Sequence, residues 1–86
     1  MSSQSSDEIS MKELVEYIAK ALVDLPEKVQ VEAMESQSSV ILELKVAPED
    51  VGKVIGKGGQ TAKAMRKILS AAATKLHKKS LLQIIE

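Results

Sequence analysis

The sequence predicts an α+β domain, with a three-stranded sheet carrying helices packed on one face. Three observations lead there. Apolar residues recur at spacings of three and four near the start of the chain and again after residue 60, which is helical periodicity. Between these stretches, apolar and polar residues alternate, and a short apolar run closes the chain; both suit strands. Proline, glycine and serine clusters divide the segments into the order α-β-β-α-α-β, with no internal repeat.

Residues 1–8 are Ser-rich, polar and without periodicity, so a disordered tail is expected ahead of one domain over residues 9–86. Ser10 opens the first helix, with Glu13 completing a capping box. Met11, Leu14, Val15, Ile18, Ala21, Leu22 and Leu25 give it an apolar face, and Pro26 is expected to end it. Val29, Val31 and Ala33 then alternate with polar neighbours, predicting a strand with those three side chains inward. Ser36-Gln37-Ser38-Ser39 reads as a turn. Val40, Leu42, Leu44 and Val46 face inward on the returning strand of an antiparallel hairpin.

Ala47-Pro48-Glu49-Asp50 starts a short helix over about residues 49–55, with proline at its first position and acids at its positive dipole end. Gly56 ends it. A long helix follows from about Gln60 to Leu76. Met65, Ile68, Leu69, Ala72 and Leu76 are expected to share its buried face, with Lys63, Arg66, Lys67, Ser70 and Thr74 opposite. Leu81 to Ile85 is long enough for a last strand and too short for another helix.

Eighty-six residues with no Phe, no Trp and one Tyr make one domain around a modest aliphatic core. The absence of Cys excludes disulfides, thiolate metal sites and cysteine nucleophiles. No apolar run approaches a membrane span and the N-terminus lacks signal-peptide order, so a cytoplasmic protein with no membrane partner is expected. Neither cofactor nor metal is expected. The net charge is zero, yet residues 1–50 hold 4 Lys and Arg against 11 Asp and Glu, or −7, while residues 51–86 hold 8 against 1, or +7. A polyanion would meet the C-terminal half.

That half contains Val54-Ile55-Gly56-Lys57-Gly58-Gly59-Gln60-Thr61. It is not a Walker loop, because Gly52 and Gly56 are three residues apart rather than four and Lys57 precedes Gly58. A dinucleotide fingerprint needs glycine where Thr61 stands and a preceding strand, and here a helix precedes. What remains is a G-x-x-G turn between two helices. It opens a helix whose first N–H groups lack partners and whose dipole favours an anion. Gly58 and Gly59 let a sugar-phosphate chain approach, Lys57 adds a charge, and Val54 and Ile55 adjoin it with an apolar surface for unstacked bases. A plain helix–helix turn would also use glycine at positive φ, but one glycine would serve and no lysine is needed.

Val54-Ile55-Gly56-Lys57-Gly58-Gly59 resembles the V-I-G-x-x-G signature of the KH domain, and the α-β-β-α-α-β order resembles its prokaryotic, type II form. With Ala47 to Lys53 leading into the loop, the chain is similar to the bacterial KhpA family of small RNA-binding proteins over about residues 9–86. The resemblance implies that Gly56, Lys57, Gly58 and Gly59 clamp the backbone of about four nucleotides of single-stranded RNA. It also implies a homodimer, pairing with a larger Jag-like KH-containing protein, and an RNA-chaperone or regulatory role that influences cell elongation and division. Lys57 is the one cation in the loop, so the loop alone would bind weakly.

The expected RNA-binding residues are thus Lys53, Val54, Ile55, Gly56, Lys57, Gly58, Gly59 and Gln60, continued along the basic helix face by Lys63, Arg66 and Lys67. The scarcity of aromatics disfavours ring-stacking RNA readers but not an aliphatic groove. Two other readings use the same residues. A helix-turn-helix-like reader of duplex DNA would need base-reaching side chains early in the second helix, where Gln60, Thr61, Lys63 and Ala64 are a thin set. A protein-interaction module would make the loop structural only. His77, the one histidine, has no catalytic partner nearby in sequence and is expected at a helix C-terminus, and Tyr17 on a helix surface. An enzyme is not expected.

Overall fold

A computed structural model describes residues 10–86; the expected tail over residues 1–8 lies outside them. The elements are α1 (Met11–Leu22), β1 (Gln30–Glu35), β2 (Ser39–Lys45), α2 (Val51–Ile55), α3 (Gln60–Lys75) and β3 (Lys79–Ile85). Short 3₁₀ turns at Pro26–Lys28, Pro48–Asp50 and Lys57–Gly59 link them. The predicted α-β-β-α-α-β order is present.

The capping box forms as read. The Glu13 amide donates to Ser10 Oγ at 3.1 Å, and the Ser10 amide donates to Glu13 Oε1 at 3.2 Å. Together they occupy two N-terminal groups that a helix otherwise leaves unpaired. Buried Met11, Val15 and Ala19 recur every four residues along α1, flanked by half-buried Leu14 and Ile18, whereas Ala21 and Leu22 are exposed. The helix ends at Leu22, ahead of Pro26. The amides of Asp24 and Leu25 have turned away to bond Asp50, so the chain leaves the helix before proline would force it to.

Central β2 pairs antiparallel with β1, Leu44 opposite Val31 and Leu42 opposite Ala33, and parallel with β3, Leu42 opposite Leu82. Ser36 shapes the β1–β2 turn, donating its amide to the Ser39 carbonyl at 2.8 Å and accepting from the Ser39 amide at 3.1 Å. Val31, Val40, Leu42, Leu44 and Leu82 point to the helices, where Val15, Val54, Met65 and Leu69 meet them. Each such fully buried aliphatic side chain is worth roughly 1.5–3 kcal/mol.

Three inward assignments on β1 and α3 differ from expectation. Ala33 lies on the helix-facing side of β1 but is exposed, because the helical layer stops short there and leaves a groove shared with Ile68, Ala72 and Leu76. On α3 the buried stripe is Ala62, Met65, Leu69 and Ala73, while Ile68 is 47% and Leu76 54% exposed. The apolar residues of α3 cover more of its circumference than the core takes up. Small alanines, which carry little hydropathy signal, take two of these four buried positions.

Candidate nucleic-acid interface

The candidate site is the α2–turn–α3 hairpin. Val54 on α2 is wholly buried, which corrects its expected place on the binding surface: its side chain fixes α2 to the core. Half-buried Ile55 is the apolar residue that borders the turn. Gly56 ends α2, donating its amide to the Gly52 carbonyl at 2.8 Å.

Three glycines adopt backbone conformations that side chains disfavour: Gly56 at φ 79°, Gly58 at 64° and Gly59 at 76°. They are not equivalent. A Cβ at Gly56 would collide with Thr61, whereas a Cβ at Gly58 or Gly59 would meet nothing within 4 Å. Gly56 is therefore held by the protein, and the outer side of Gly58 and Gly59 is open for a ligand's backbone. The turn is closed by the Gly59 amide donating to the Gly56 carbonyl at 3.0 Å and by the Gln60 amide donating to the Lys57 carbonyl. Gly59 occupies the N-cap of α3 without a side-chain cap, so the positive end of a 16-residue helix faces outward.

Lys57, Gln60, Lys63, Arg66 and Lys67 are all exposed. Among the described residues, no ion pair engages Lys57, Lys63 or Lys67. Lys63 and Lys67 are one helical turn apart and follow the turn along one face of α3. Arg66 is engaged differently. Its Nε and Nη2 donate to the Leu82 carbonyl at 3.4 and 3.3 Å, bracing α3 against β3.

Lys53 also has a structural engagement. Its Nζ lies 3.2 Å from Asp24 Oδ2 and 3.4 Å from Asp50 Oδ1. Asp50 is completely buried and accepts the amides of Leu25 at 3.0 Å and Asp24 at 3.3 Å. Burial pushes its carboxyl up, but the Leu25 and Asp24 amides and then Lys53 outweigh this, and the net direction is below the ordinary 3.8. The hydrogen bond and charge of Asp24, followed by those of Asp50, hold Lys53 above its ordinary 10.5. No local sequence signal marks this role. An acid in the first turn of a helix is already explained by the dipole, and the amides it binds lie 25 and 26 residues away. Thr61, which packs on Gly56, was likewise missed.

A three-stranded mixed sheet covered on one face by helices, with G-x-x-G joining the second and third, defines a type II KH domain. The family model described as KhpA/KhpB, KH domain matches residues 12–84, and the chain belongs to that family. It is similar to the RNA-binding protein KhpA of Clostridium perfringens, with 60% identity over 87% of this chain and 100% of that one. The KhpA of Clostridium acetobutylicum is 57% identical over the same shares, and that of Aquifex aeolicus 46% over 90% and 98%. Among solved structures, the fold matches part of Era in a complex with MgGDPNP and nucleotides 1506–1542 of 16S ribosomal RNA. The TM-score is 0.63 at 21% identity, covering 86% of this chain and 28% of Era.

Proposed function

We propose that this chain is a non-enzymatic binder of single-stranded RNA that grips the phosphate backbone at Gly56–Gly59. The observation that carries the reading is the open outer side of Gly58 and Gly59, beside exposed Lys57 and the uncapped start of α3. Backbone amides and a helix dipole would hold phosphate there, and Lys63 and Lys67 would continue the track. Half-buried Ile55 gives bases an apolar border. Kinship with relatives named as RNA-binding proteins supports the same ligand. With one cation in the loop, a dissociation constant on the order of 10⁻⁴ to 10⁻⁶ M at physiological salt is expected.

The test is the double variant Lys57→Asp, Gly58→Asp. Aspartate is among the residues that tolerate the left-handed region, and Gly58 has open space, so folding should persist. Binding of labelled single-stranded RNA should fall at least tenfold, and unchanged binding would refute the clamp. Equal competition by unlabelled duplex DNA would favour the helix-turn-helix reading instead.

The finer parts of the reading rest on the family resemblance. These are a homodimer, pairing with a larger Jag-like KH-containing protein, and an RNA-chaperone or regulatory role bearing on cell elongation and division. Exposed Ile68 and Leu76 of α3 support the homodimer, since a second copy would bury them. Light scattering of the purified chain, against Ile68→Glu, tests it.

A further inference from the structure

The sheet has a second side. Val31, Val40, Leu42, Leu44 and Leu82 on its helix-facing side are core, and its opposite face carries no element among the described residues. On that open face the register places Met34 opposite Ile41 and Ile41 opposite Leu81, one side chain from each strand in a row. Met34 is 56% and Leu81 49% exposed, and Ile41 is half-buried between them. The next row along the strands is Glu32, Glu43 and Gln83, with the two carboxylates directly opposed. Like charges facing each other across neighbouring strands are unfavourable, and among the described residues neither has an ion-pair partner. Lys45 and Lys79 lie on the same face, in the rows beyond the acids and beyond the apolar row.

We propose that this open face docks a basic amphipathic helix of a protein partner. Rows on one sheet face are two residues, roughly 6.7 Å, apart along the strand. Residues four apart on a helix rise about 6 Å. A helix lying along β2 with an apolar side chain over Met34, Ile41 and Leu81 therefore brings its residue four positions away over Glu32 and Glu43, where lysine or arginine would relieve the opposed carboxylates. The docked helix would turn a two-layer domain into a three-layer one and remove the exposed row from water. The exposed apolar row at the centre of this face, bordered by the opposed carboxylates, suits a protein side chain better than a phosphate chain and leaves RNA to the loop. The two surfaces lie on different layers and can be occupied together.

The test is a titration of the ¹⁵N-labelled full chain with a four-turn synthetic helical peptide carrying a leucine stripe and arginine four residues beyond its central leucine. Amide shifts are expected at Met34, Ile41, Glu43 and Leu81, with none at Gly56–Gly59. Replacing the arginine by glutamate should weaken binding about three- to tenfold, the scale of one or two exposed charge pairs. The variant Glu32→Gln, Glu43→Gln should lose the same factor for the arginine peptide while folding at least as stably. Met34→Ser with Leu81→Ser should abolish binding, and Lys57→Asp with Gly58→Asp should leave it unchanged, which separates this surface from the RNA loop. The proposal is overturned by shifts that fall on α3, by equal affinity for the arginine and glutamate peptides, or by indifference to the Glu32 and Glu43 substitutions. It is also overturned if light scattering finds a dimer that Met34→Ser with Leu81→Ser converts to monomer, since the occupant would then be a second copy.

Discussion

Gly56 and Thr61 are in such close contact that a β-carbon on Gly56 would lie 2.2 Å from Thr61 Oγ1, 2.7 Å from Thr61 Cβ and 2.9 Å from the Thr61 amide nitrogen. The first residue of the turn is thereby locked onto the first turn of α3. At φ 79° and ψ 168°, Gly56 also occupies a region that is essentially glycine-only. Gly58 and Gly59 have the conformational demand without the packing demand.

Gly56→Ala is therefore expected to destabilise the domain by about 2–3 kcal/mol, combining backbone strain with the collision. For a domain of this length that is a fall in Tm of roughly 10–20 °C. Adding Thr61→Ala should recover only part of it, because the backbone amide and the positive φ remain. Thermal unfolding followed by circular dichroism checks both variants.

Arg66 and Lys63, neighbours on one basic face, should part company on mutation. Lys63→Ala should leave Tm nearly unchanged and weaken RNA binding, lowering the magnitude of the salt slope by about 0.7, the value of one single-strand phosphate contact. Arg66→Ala should lower stability by about 1–2 kcal/mol, because it removes the donors that hold the Leu82 carbonyl. Binding isotherms at several salt concentrations, alongside melting curves, separate the two.

Asp50→Asn should lower Tm by on the order of 10 °C, because asparagine can accept from only one of the two buried amides and the ion pair with Lys53 is lost. The loss should depend on pH. The folded-state carboxyl is held below the ordinary 3.8, so the unfolded chain takes up the proton first as pH falls. Its stabilisation is complete above that value and disappears as pH drops through the lower folded-state pKa. The Tm gap between the parent and Asp50→Asn should be steady from about pH 5 to 8 and shrink below about pH 4.

His77 follows α3 with φ 59°, the position where helices commonly place glycine, and donates its amide to the Thr74 carbonyl at 3.0 Å. His77→Gly should raise stability by about 1 kcal/mol, or Tm by roughly 4–8 °C. A lower Tm would mean that the imidazole makes a contribution its exposure does not suggest.

The element order, the N-terminal capping box, the hairpin and the glycine turn were legible in the sequence because each depends on residues close together in the chain. Ser10 finds Glu13 three positions on, and Gly56 stops α2 by its own conformation. What escaped depends on where distant segments meet. Ala19 and Ala73 are core, although their small side chains add little to an apolar pattern, and Ile68 is exposed because the layer beneath it ends. Val54 reads as a surface neighbour of the loop yet is core, since α2 turns that side inward. Lys53 reads as a free cation, but Asp24 comes to it from the end of α1. The union of Asp50 with the amides of Asp24 and Leu25 is of the same kind. Periodicity shows which face of an element is apolar; it does not show how wide the opposite layer is.

The parallel pairing of β3 with β2 has a consequence in time. The glycine turn lies within the crossover between these strands, so its shape is completed by the same long-range closure that finishes the sheet. Such non-local closure is slow compared with helix or hairpin formation. The hairpin of β1 and β2 has the means to form early, and the glycine turn matures with the whole. Any ligand that recognises the finished turn then draws on global folding: it should protect amides in β2 from hydrogen exchange, far from the point of contact.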